Sequence, residues 1–344
     1  MKAVVCPTYG SPDVLKFQDV AKPSPKDDEV LVKVHAAGVN AGDWHLMRAD
    51  PFLIRLMIGL TKPKQPILGG DFAGKVEAVG KNVTQFQVGD EVFGASANFG
   101  TFAEYVAVAQ DAAVLKPDTM SFEQVAAVPT AAMTALQGLR DHGKIKAGQK
   151  VLINGASGGV GSFAVQIAKA LGAEVTGMCS AAKTDMVRSI GADHIIDYTK
   201  ESFTDSGQQY DLILGVGGYY PLAAYKRALK PNGIYVMTGG ETKQMFEAMF
   251  LGSITFMTSS KKVTNFIQKI SQKNLLFLKE LMEQGKLSPV IDKSYLLADA
   301  PKAIAFLESG KAKGKLVIKV EPKTVQAFTE PVTESGYRYN AEVR

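Results

Sequence analysis

The sequence predicts an α/β protein in which a partly closed all-β unit is combined with an inserted, doubly wound parallel sheet. Three observations support this prediction. Short β-rich runs cut by Gly, Pro and Asp fill the first third of the chain, strands and helices alternate from about residue 121, and an apolar strand at residues 314–320 follows an amphipathic helix. We interpret that strand as a return to the first unit, which makes the alternating part an insertion.

The individual elements follow from local patterns. The β-rich runs of the first unit are residues 2–6, 29–36, 74–79, 90–93 and 103–108. The alternating part contains runs that are apolar enough to be buried on both faces, as central parallel strands are: residues 151–154, 174–178, 194–196, 211–214 and 233–237. Apolar residues at helical spacing predict helices over residues 160–171 and 274–283.

These patterns divide the chain into four segments. Residues 1–120 are the first part of the all-β unit, residues 121–265 the parallel-sheet unit, and residues 266–322 the return to the first unit. Residues 323–344 form a polar tail without an apolar period, and its function stays open.

Composition and charge exclude several classes of protein. Hydrophobic residues make up 46% and charged residues 21%, which is typical of a globular protein and excludes a disordered chain. The formal charge is +5 and the basic residues are scattered, so we expect no nucleic-acid partner. Two cysteines and four histidines form neither a disulfide framework nor a CxxC metal site, and we expect a cytoplasmic protein.

We expect no secretion signal and no membrane span. The apolar run at residues 51–60 (PFLIRLMIGL) carries Arg55 and is shorter than the ~20 residues that a span needs. We interpret it as an amphipathic helix or a lid over a pocket. This run and the Met- and Phe-rich stretch at residues 245–257 are candidates for an apolar substrate wall, although both are also typical of a core or a dimer surface.

A glycine-rich turn carries the most specific signal. GASGGVG, residues 155–161, directly follows a predicted strand and precedes a predicted helix, the context of a dinucleotide fingerprint. A merely tight turn does not require four glycines in seven positions, and Ala156 stands where the first glycine is usual. The residues predicted to bind the cofactor here are Ala156, Ser157, Gly158, Gly159, Val160 and Gly161.

The residues after the second strand of this unit favour NADP(H) over NAD(H). An NAD site usually carries Asp or Glu there, whereas this chain has Cys179 and Ser180, followed by Lys183. A hydroxyl and a cation without a carboxylate suit a 2′-phosphate. Lys183 is also consistent with a solvated lysine at a helix start. Tyr198 is a candidate contact for the adenine and equally a candidate packing residue.

The motifs together resemble the medium-chain dehydrogenase/reductases, and within them the zinc-independent quinone oxidoreductase branch. The resemblance extends from residue 1 to about residue 320. It is carried by VNAGDW (39–44), ILGGDFAGKVEAVG (67–80), VGDEVFG (88–94), GTFAEY (100–105), AAVPTAAMTAL (126–136), GASGGVG, SIGADHIIDY (189–198) and GKAKGKLVI (310–318). It implies a GroES-like catalytic domain with an inserted Rossmann domain.

Two features place the chain outside neighbouring groups of enzymes. Zinc-containing members have Cys where Asn40 stands and a His-Glu pair where Gly70 and Asp71 stand, and this chain has no cysteine between Cys6 and Cys179, so we expect no metal site. In addition, none of the eleven tyrosines is followed four residues later by lysine, the spacing that short-chain reductases use for proton transfer.

The resemblance also implies the positions of site residues. Asn40 and Asp43 lie at the substrate end of the cleft, where Asn40 donates to the developing oxygen anion and Asp43 organises the pocket. His45 is a candidate proton donor, with a packing histidine or solvent as the alternatives. The other implied residues are Trp44, Phe52 and Thr134 in the substrate pocket, with Thr134 also near the nicotinamide carboxamide, and Val216, Gly217, Thr238, Gly239 and Lys315 along the cofactor.

The resemblance thus implies an NADPH-dependent reductase that transfers hydride to a quinone or an α,β-unsaturated carbonyl compound. Such acceptors spread the developing charge onto oxygen, where a few hydrogen-bond donors hold it without a metal. The alternatives are a reductase of 2-alkenals or furanone-type enones with the same fold, and a nucleotide-binding relative without turnover. A homodimer is expected from the same resemblance.

Overall fold

The computed structural model describes residues 1–320 except residues 206, 241 and 258. The polar tail predicted at residues 323–344 lies outside the described residues. The strands are β1 (Lys2–Val5), β2 (Lys16–Asp19), β3 (Glu29–Val39), β4 (Asp71–Val79), β5 (Glu91–Ala95), β6 (Tyr105–Ala109), β7 (Ala113–Leu115), β8 (Lys150–Asn154), β9 (Glu174–Cys179), β10 (His194–Asp197), β11 (Tyr210–Gly215), β12 (Leu229–Met237), β13 (Lys262–Asn265), β14 (Ile291–Leu296) and β15 (Lys315–Lys319).

The α-helices lie between these strands. They are α1 (Ala41–Arg48), α2 (Arg55–Ile58), α3 (Phe122–Ala126), α4 (Pro129–Leu136), α5 (Gly159–Ala170), α6 (Thr184–Ser189), α7 (Leu222–Ala228), α8 (Thr242–Phe246), α9 (Gly252–Phe256), α10 (Gln272–Glu283) and α11 (Ala300–Glu308). Two π-helical stretches, Gln137–His142 and Glu247–Leu251, continue α4 and α8. None of the helices in the described part of the chain is long and apolar enough to cross a bilayer.

One sheet contains strands from both ends of the described chain. Its order is β14-β15-β3-β4-β5-β7, and β6 also pairs with β3. The last strand, β15, lies antiparallel to β3 with Leu316 opposite Val39. The chain therefore returns to its first unit at the strand that leads into α1, which brings Lys315 close to the residues around Asn40.

The second large sheet has six parallel strands in the order β10-β9-β8-β11-β12-β13. Strand order reverses between β8 and β11, where Asn154 pairs with Gly215. In an open parallel sheet, ligands bind outside the carboxyl ends of the strands at this switch point. The turns after β8 and β11 are therefore the expected position of a ligand.

Hydrophobic burial explains why the strands of this sheet form. Val151, Leu152 and Ile153 of β8 are fully buried, because helices cover both faces of a parallel sheet. Helix α5 buries Phe163, Ala164, Ile167 and neighbouring residues against the same core. A separate core, which includes Phe72 and Phe102, lies within the seven-stranded sheet.

The predicted fold class is confirmed, and the predicted strands and helices recur with end shifts of a few residues. Strands β2, β7, β13 and β14 were not predicted. Strand β2 is exposed along its whole length and β14 is polar (IDKSYL), so neither shows the apolar alternation that marks a half-buried strand. The domain boundaries given above stay a prediction.

The apolar run at residues 51–60 forms less helix than its pattern indicated. It contains a 3-10 turn, Phe52–Ile54, and the single helical turn α2. Gly59 ends α2 with φ +126°, a conformation that L residues with side chains rarely adopt. The run is therefore a surface turn whose side chains are mostly exposed.

Candidate active site

A cleft of about 580 Å³ lies at the switch point of the parallel sheet. Its walls come from both units of the fold. Asn154 and the glycine-rich turn form one side, and residues 39–41 after β3 form another. The return segment contributes Gly314 and Lys315. Gly314 is anchored to the turn, because its amide donates to the carbonyl of Ser157 over 2.9 Å.

Three of the four glycines of the turn have separate geometric reasons. Gly155 has φ +87°, a left-handed conformation that favours glycine. A Cβ at Gly161 would lie 2.0 Å from the carbonyl oxygen of Gly155, so only glycine lets α5 approach the strand. Gly158, the N-cap of α5, is different, because a Cβ there would meet its nearest neighbour only at 3.5 Å. Glycine at this position is not required for packing, and its lack of a side chain leaves open space in the cleft.

Most of the predicted turn residues line the cleft. These are Ser157, Gly158, Gly159 and Val160. Ala156 does not, since it is fully buried beneath the turn and its amide donates to the carbonyl of Met178. The first amides of α5 point toward the cleft end of the helix and have no intrahelical acceptor, which makes this end attractive to an anion.

The turn after β11 forms the opposite wall. Val216, Gly217 and Gly218 line the cleft, and Cβ atoms at Gly217 and Gly218 would meet almost nothing within 4 Å. Thr238 and Gly239 lie behind this wall. The Thr238 hydroxyl donates to the carbonyl of Gly215, and neither residue is part of the lining. Their contact with the cofactor stays a prediction.

The predicted 2′-phosphate region lies where β9 ends. Cys179, Lys183 and the half-exposed Tyr198 line the cleft, whereas Ser180 lies between the first two without lining it. Burial lowers the pKa of Lys183, and its ammonium donates to the carbonyl of Ala312 over 2.8 Å. Lys183 is thus half-buried at the junction of the two units rather than a fully solvated lysine.

The most specific geometry is a buried hydrogen-bond network around Asn40. The side-chain nitrogen Nδ2 of Asn40 donates to Oδ2 of Asp71 over 2.9 Å. The side-chain oxygen Oδ1 of Asn40 accepts a hydrogen bond from Nζ of Lys315. The other oxygen of Asp71 accepts from both the amide and the hydroxyl of Thr130. Because an ammonium can only donate, Lys315 fixes which end of the Asn40 amide is oxygen.

Asp43 holds the backbone of the same region. Its two carboxylate oxygens accept hydrogen bonds from the backbone amides of Asn40, over 2.8 Å, and of Gly69, over 3.2 Å. The first bond completes a capping box at the start of α1, which explains why the helix begins directly after Asn40. The predicted organising position of Asp43 agrees with this geometry.

Burial shifts the pKa values of all three charged groups. It raises the pKa of Asp43 to about 7, although the hydrogen bonds from Asn40 and Gly69 and the charge of Lys315 act in the opposite direction. Burial also raises the pKa of Asp71 and lowers that of Lys315, and in each case the opposite charge partly restores the ionised form. Such concentrated, mutually compensating shifts are typical of functional sites.

Lys315, which was predicted to lie along the cofactor, lines the cleft. Its side chain is only 2% exposed, and its ammonium donates to the carbonyl of Val39 and to Asn40. The ammonium therefore lies at the Asn40 end of the cleft. Asp71 and Thr130 were missed as site residues. The sequence contains a signal for a buried pair that could have been used, because Asp71 is the only charged residue in the apolar run ILGGDFAG and Lys315 is the only charged residue in GKLVI.

The remaining predicted residues lie outside the lining of this cleft. The His45 ring stacks on Trp44 at 3.6 Å between centroids, and Nδ1 of His45 lies 2.9 Å from the carbonyl oxygen of Asp50. A carbonyl only accepts, so Nδ1 carries the proton and Nε2 of the neutral ring does not. The Thr134 hydroxyl donates within α4, to the carbonyl of Thr130, and Phe52 is 70% exposed.

A second, smaller cavity of about 280 Å³ has mainly apolar walls. Leu46, Met57, Ile58, Leu68 and Phe99 contribute to its lining. Leu68 directly precedes Gly69, whose amide donates to Asp43, so the cavity adjoins the buried network along the chain. Met57 and Ile58 of the apolar run at residues 51–60 thus form part of the wall of this cavity. The interpretation of the run as a lid stays a prediction.

Comparison with known proteins agrees with this geometry. Residues 26–118 match the model of the alcohol dehydrogenase GroES-like domain, and residues 190–318 match that of a zinc-binding dehydrogenase. The chain is 34% identical to 2-methylene-furan-3-one reductase of Solanum lycopersicum, with 94% of this chain and 80% of the relative covered. This chain belongs to the medium-chain dehydrogenase/reductase family.

Other members of the family include quinone oxidoreductases similar to this chain. A chloroplastic quinone oxidoreductase of Triphysaria versicolor is 35% identical, with 93% of this chain and 98% of the relative covered. The Escherichia coli quinone oxidoreductase, solved in complex with NADPH, superposes with a TM-score of 0.80 at 26% identity and covers 93% of this chain and all of that chain. The predicted resemblance to this branch is confirmed.

The cleft fits a dinucleotide that carries phosphates. Gly158, Gly217 and Gly218 leave open space beside the backbone, and Lys183 brings a cation. No acidic residue is among the described residues that line the cleft. Within the described ranges, no group of three or more His, Cys, Asp or Glu side chains is arranged to hold a metal ion. The donor set of the cleft is thus suited to NADPH.

Proposed function

We propose that this member of the family is an oxidoreductase that uses NADPH to reduce quinones or α,β-unsaturated carbonyl compounds without zinc. One observation carries the proposal: Asn40, with its amide orientation set by Asp71 and Lys315, lines the same cleft as the glycine-rich turn. The cleft thus has a polyanion site at one end and an oriented hydrogen-bond donor at the other. NADPH supplies the hydride when it is bound there.

Asn40 acts as the donor that stabilises the developing negative charge on the acceptor oxygen. One hydrogen of its amide nitrogen is directed to Asp71, which leaves the second hydrogen for the acceptor. A donor that is already oriented costs no reorganisation when charge develops, which is the main source of such stabilisation. Asp71 and Lys315 are positioning residues in this proposal, because they act through Asn40.

Solvent supplies the proton in this proposal. The predicted alternative, His45, presents an unprotonated Nε2 when its ring is neutral and does not line the cleft. A proton from water suits acceptors whose reduced oxygen is stable as an anion until the product leaves. The pH profile of turnover should therefore not change when His45 is replaced by Gln.

A reductase of furanone-type enones is the second candidate. The relative from Solanum lycopersicum, named for such a substrate, is about as similar to this chain as the quinone oxidoreductase of Triphysaria versicolor. Both reactions need the same oriented donor, so the difference lies in the shape of the acceptor cavity. The relative rates with the two classes of acceptor would rank the candidates.

The proposal is tested by following the oxidation of NADPH and NADH in the presence of phenanthrenequinone or a simple vinyl ketone, with and without a chelator. We expect turnover that prefers NADPH and does not respond to the chelator. Asn40→Ala should lower kcat about a hundredfold while NADPH binding is retained. Loss of activity with the chelator, or tight NADPH binding without turnover of any acceptor, would contradict the proposal.

We also propose that the chain forms a homodimer through the β13 edge of its parallel sheet. Strand β13 is the last strand in the sheet order, and Met257 and Ile267, on either side of it, are 76% and 87% exposed. An edge strand flanked by exposed apolar residues is a common surface for pairing between chains. Light scattering should give twice the mass of one chain, and the mass of a single chain would refute this part.

A further inference from the structure

We propose that residues 52–64, called here the docking segment, bind the protein to the surface of an anionic lipid bilayer. Five large apolar side chains of the segment are between 63% and 76% exposed: Phe52, Leu53, Leu56, Met57 and Leu60. Exposed apolar residues normally occur singly on a protein surface. Here Phe52 and Leu53 lie in one 3-10 turn, Leu56 and Met57 lie in the helical turn α2, and Leu60 follows directly after Gly59.

The charge of the docking segment identifies the partner as an anionic surface. Residues 51–70 contain Arg55, Lys62 and Lys64 and no Asp or Glu. Lys62 and Lys64 are exposed, and the guanidinium of Arg55 lies 4.7 Å from the ring centre of Phe52. Exposed apolar side chains interleaved with cations are typical of segments that insert into a bilayer interface and attract anionic lipids.

The docking segment also forms part of the wall of the 280 Å³ apolar cavity. Met57, Ile58 and Lys64 belong to both. A bilayer in contact with the segment would therefore lie beside a cavity suited to an apolar acceptor, which could pass from the lipid without crossing water. This last step rests on the proposed function, whereas the docking itself does not require it.

The experiment is co-flotation of the NADPH-loaded protein with vesicles of phosphatidylcholine alone or with about a third phosphatidylglycerol. We expect binding to the anionic vesicles and little binding to the neutral ones. Leu53→Ser combined with Leu56→Ser should lower the affinity at least about tenfold. Neither side chain lines the cavity, so turnover of a water-soluble acceptor should be unchanged and confirms folding.

Two further variants make the result specific. Val88→Ser with Leu276→Ser removes two exposed apolar side chains elsewhere and should leave vesicle binding unchanged. Lys62→Glu with Lys64→Glu keeps the apolar surface and should reduce binding to the level of neutral vesicles. Equal losses in the control variant would overturn the proposal.

The remaining outcomes separate this proposal from the proposed function. Absence of vesicle binding by the active wild-type protein overturns the docking alone. A change of molecular mass on Leu53→Ser with Leu56→Ser, without vesicles, would show that a second copy of the chain covers the segment, which also overturns it. Vesicle binding without turnover of any acceptor would refute the proposed function and leave the docking supported.

Discussion

At the scale of single residues, the orientation of Asn40 depends on two neighbours of opposite charge. Lys315 comes from the last described strand and Asp71 from β4, and both are almost fully buried. A buried charge is costly unless it is compensated, so each stabilises the other through the amide that separates them. The network thereby couples folding of the first unit to the geometry of the proposed donor.

Lys315→Met is expected to lower the free energy of unfolding by about 3–5 kcal/mol, because two buried carboxylates would lose their compensating charge. Asp71→Asn should also be costly. The double variant should be less destabilised than the sum of the two single variants, as urea unfolding of the four proteins would measure. Additive losses would mean that the two side chains do not interact through Asn40.

The raised pKa of Asp43 predicts that the free energy of unfolding depends on pH. This pKa is about 7 in the folded chain, above the value of 3.8 for an ordinary Asp. A carboxyl whose pKa is raised by folding stabilises the fold fully below the ordinary pKa, and this contribution is lost as the pH rises to about 7. The free-energy advantage of the wild type over Asp43→Asn should therefore shrink between about pH 4 and about pH 7 and then stay constant. If the unfolding free energies of the wild type and of Asp43→Asn changed in parallel over this pH range, the raised pKa of Asp43 would be contradicted.

At the scale of elements, the glycine-rich turn separates two requirements. Gly161 lets α5 pack on the turn, since a Cβ would meet a carbonyl oxygen at 2.0 Å. Gly158 leaves open space beside the backbone in the cleft. One position therefore serves the fold and the other a ligand, although both occur in the same seven residues.

Alanine at the two positions should have different effects. Gly161→Ala is expected to lower Tm by several degrees, since a backbone overlap has to be relieved. Gly158→Ala should change Tm little and weaken NADPH binding, because the new methyl group occupies space near the pyrophosphate. Thermal melting and NADPH titration of both variants test this. An unchanged affinity for Gly158→Ala would place the pyrophosphate elsewhere.

At the scale of the whole molecule, contact between the two units holds the lysine that we expect to select the cofactor. Lys183 belongs to the parallel-sheet unit, and its ammonium donates to a carbonyl of the return segment, at Ala312. Residues of the return segment, Gly310, Ala312 and Gly314, line the cleft beside Lys183. The position of Lys183, the predicted cation for a 2′-phosphate, therefore depends on the tertiary structure and not only on the turn that contains it.

Ser180→Asp should weaken NADPH binding at least about tenfold, which corresponds to about 1.4 kcal/mol of repulsion, and should affect NADH much less. The new carboxylate would lie between Cys179 and Lys183, which both line the cleft. Ser189→Asp adds the same charge at an exposed position outside the cleft and is the matched control. Equal losses for the two cofactors would show that the 2′-phosphate binds elsewhere.

The sequence by itself determined the fold class, the glycine-rich turn and the lack of a carboxylate at residues 179–180, and its resemblance to the family singled out Asn40 and Asp43 as candidates. These features depend on local patterns, on glycine geometry and on motifs that stay together along the chain. The polar edge strand β14 escaped prediction because it lacks the apolar alternation that a half-buried strand requires.

Only the tertiary structure decided which of the candidate residues meet. Lys315 lies 275 residues from Asn40 in sequence, and pairing of β15 with β3 brings the two side chains together. The same packing keeps Thr238 and Gly239 behind the cleft wall, and it commits Nδ1 of His45 to a carbonyl. Such positions depend on long-range strand pairing and on the burial of opposite charges, which no local pattern in the chain specifies.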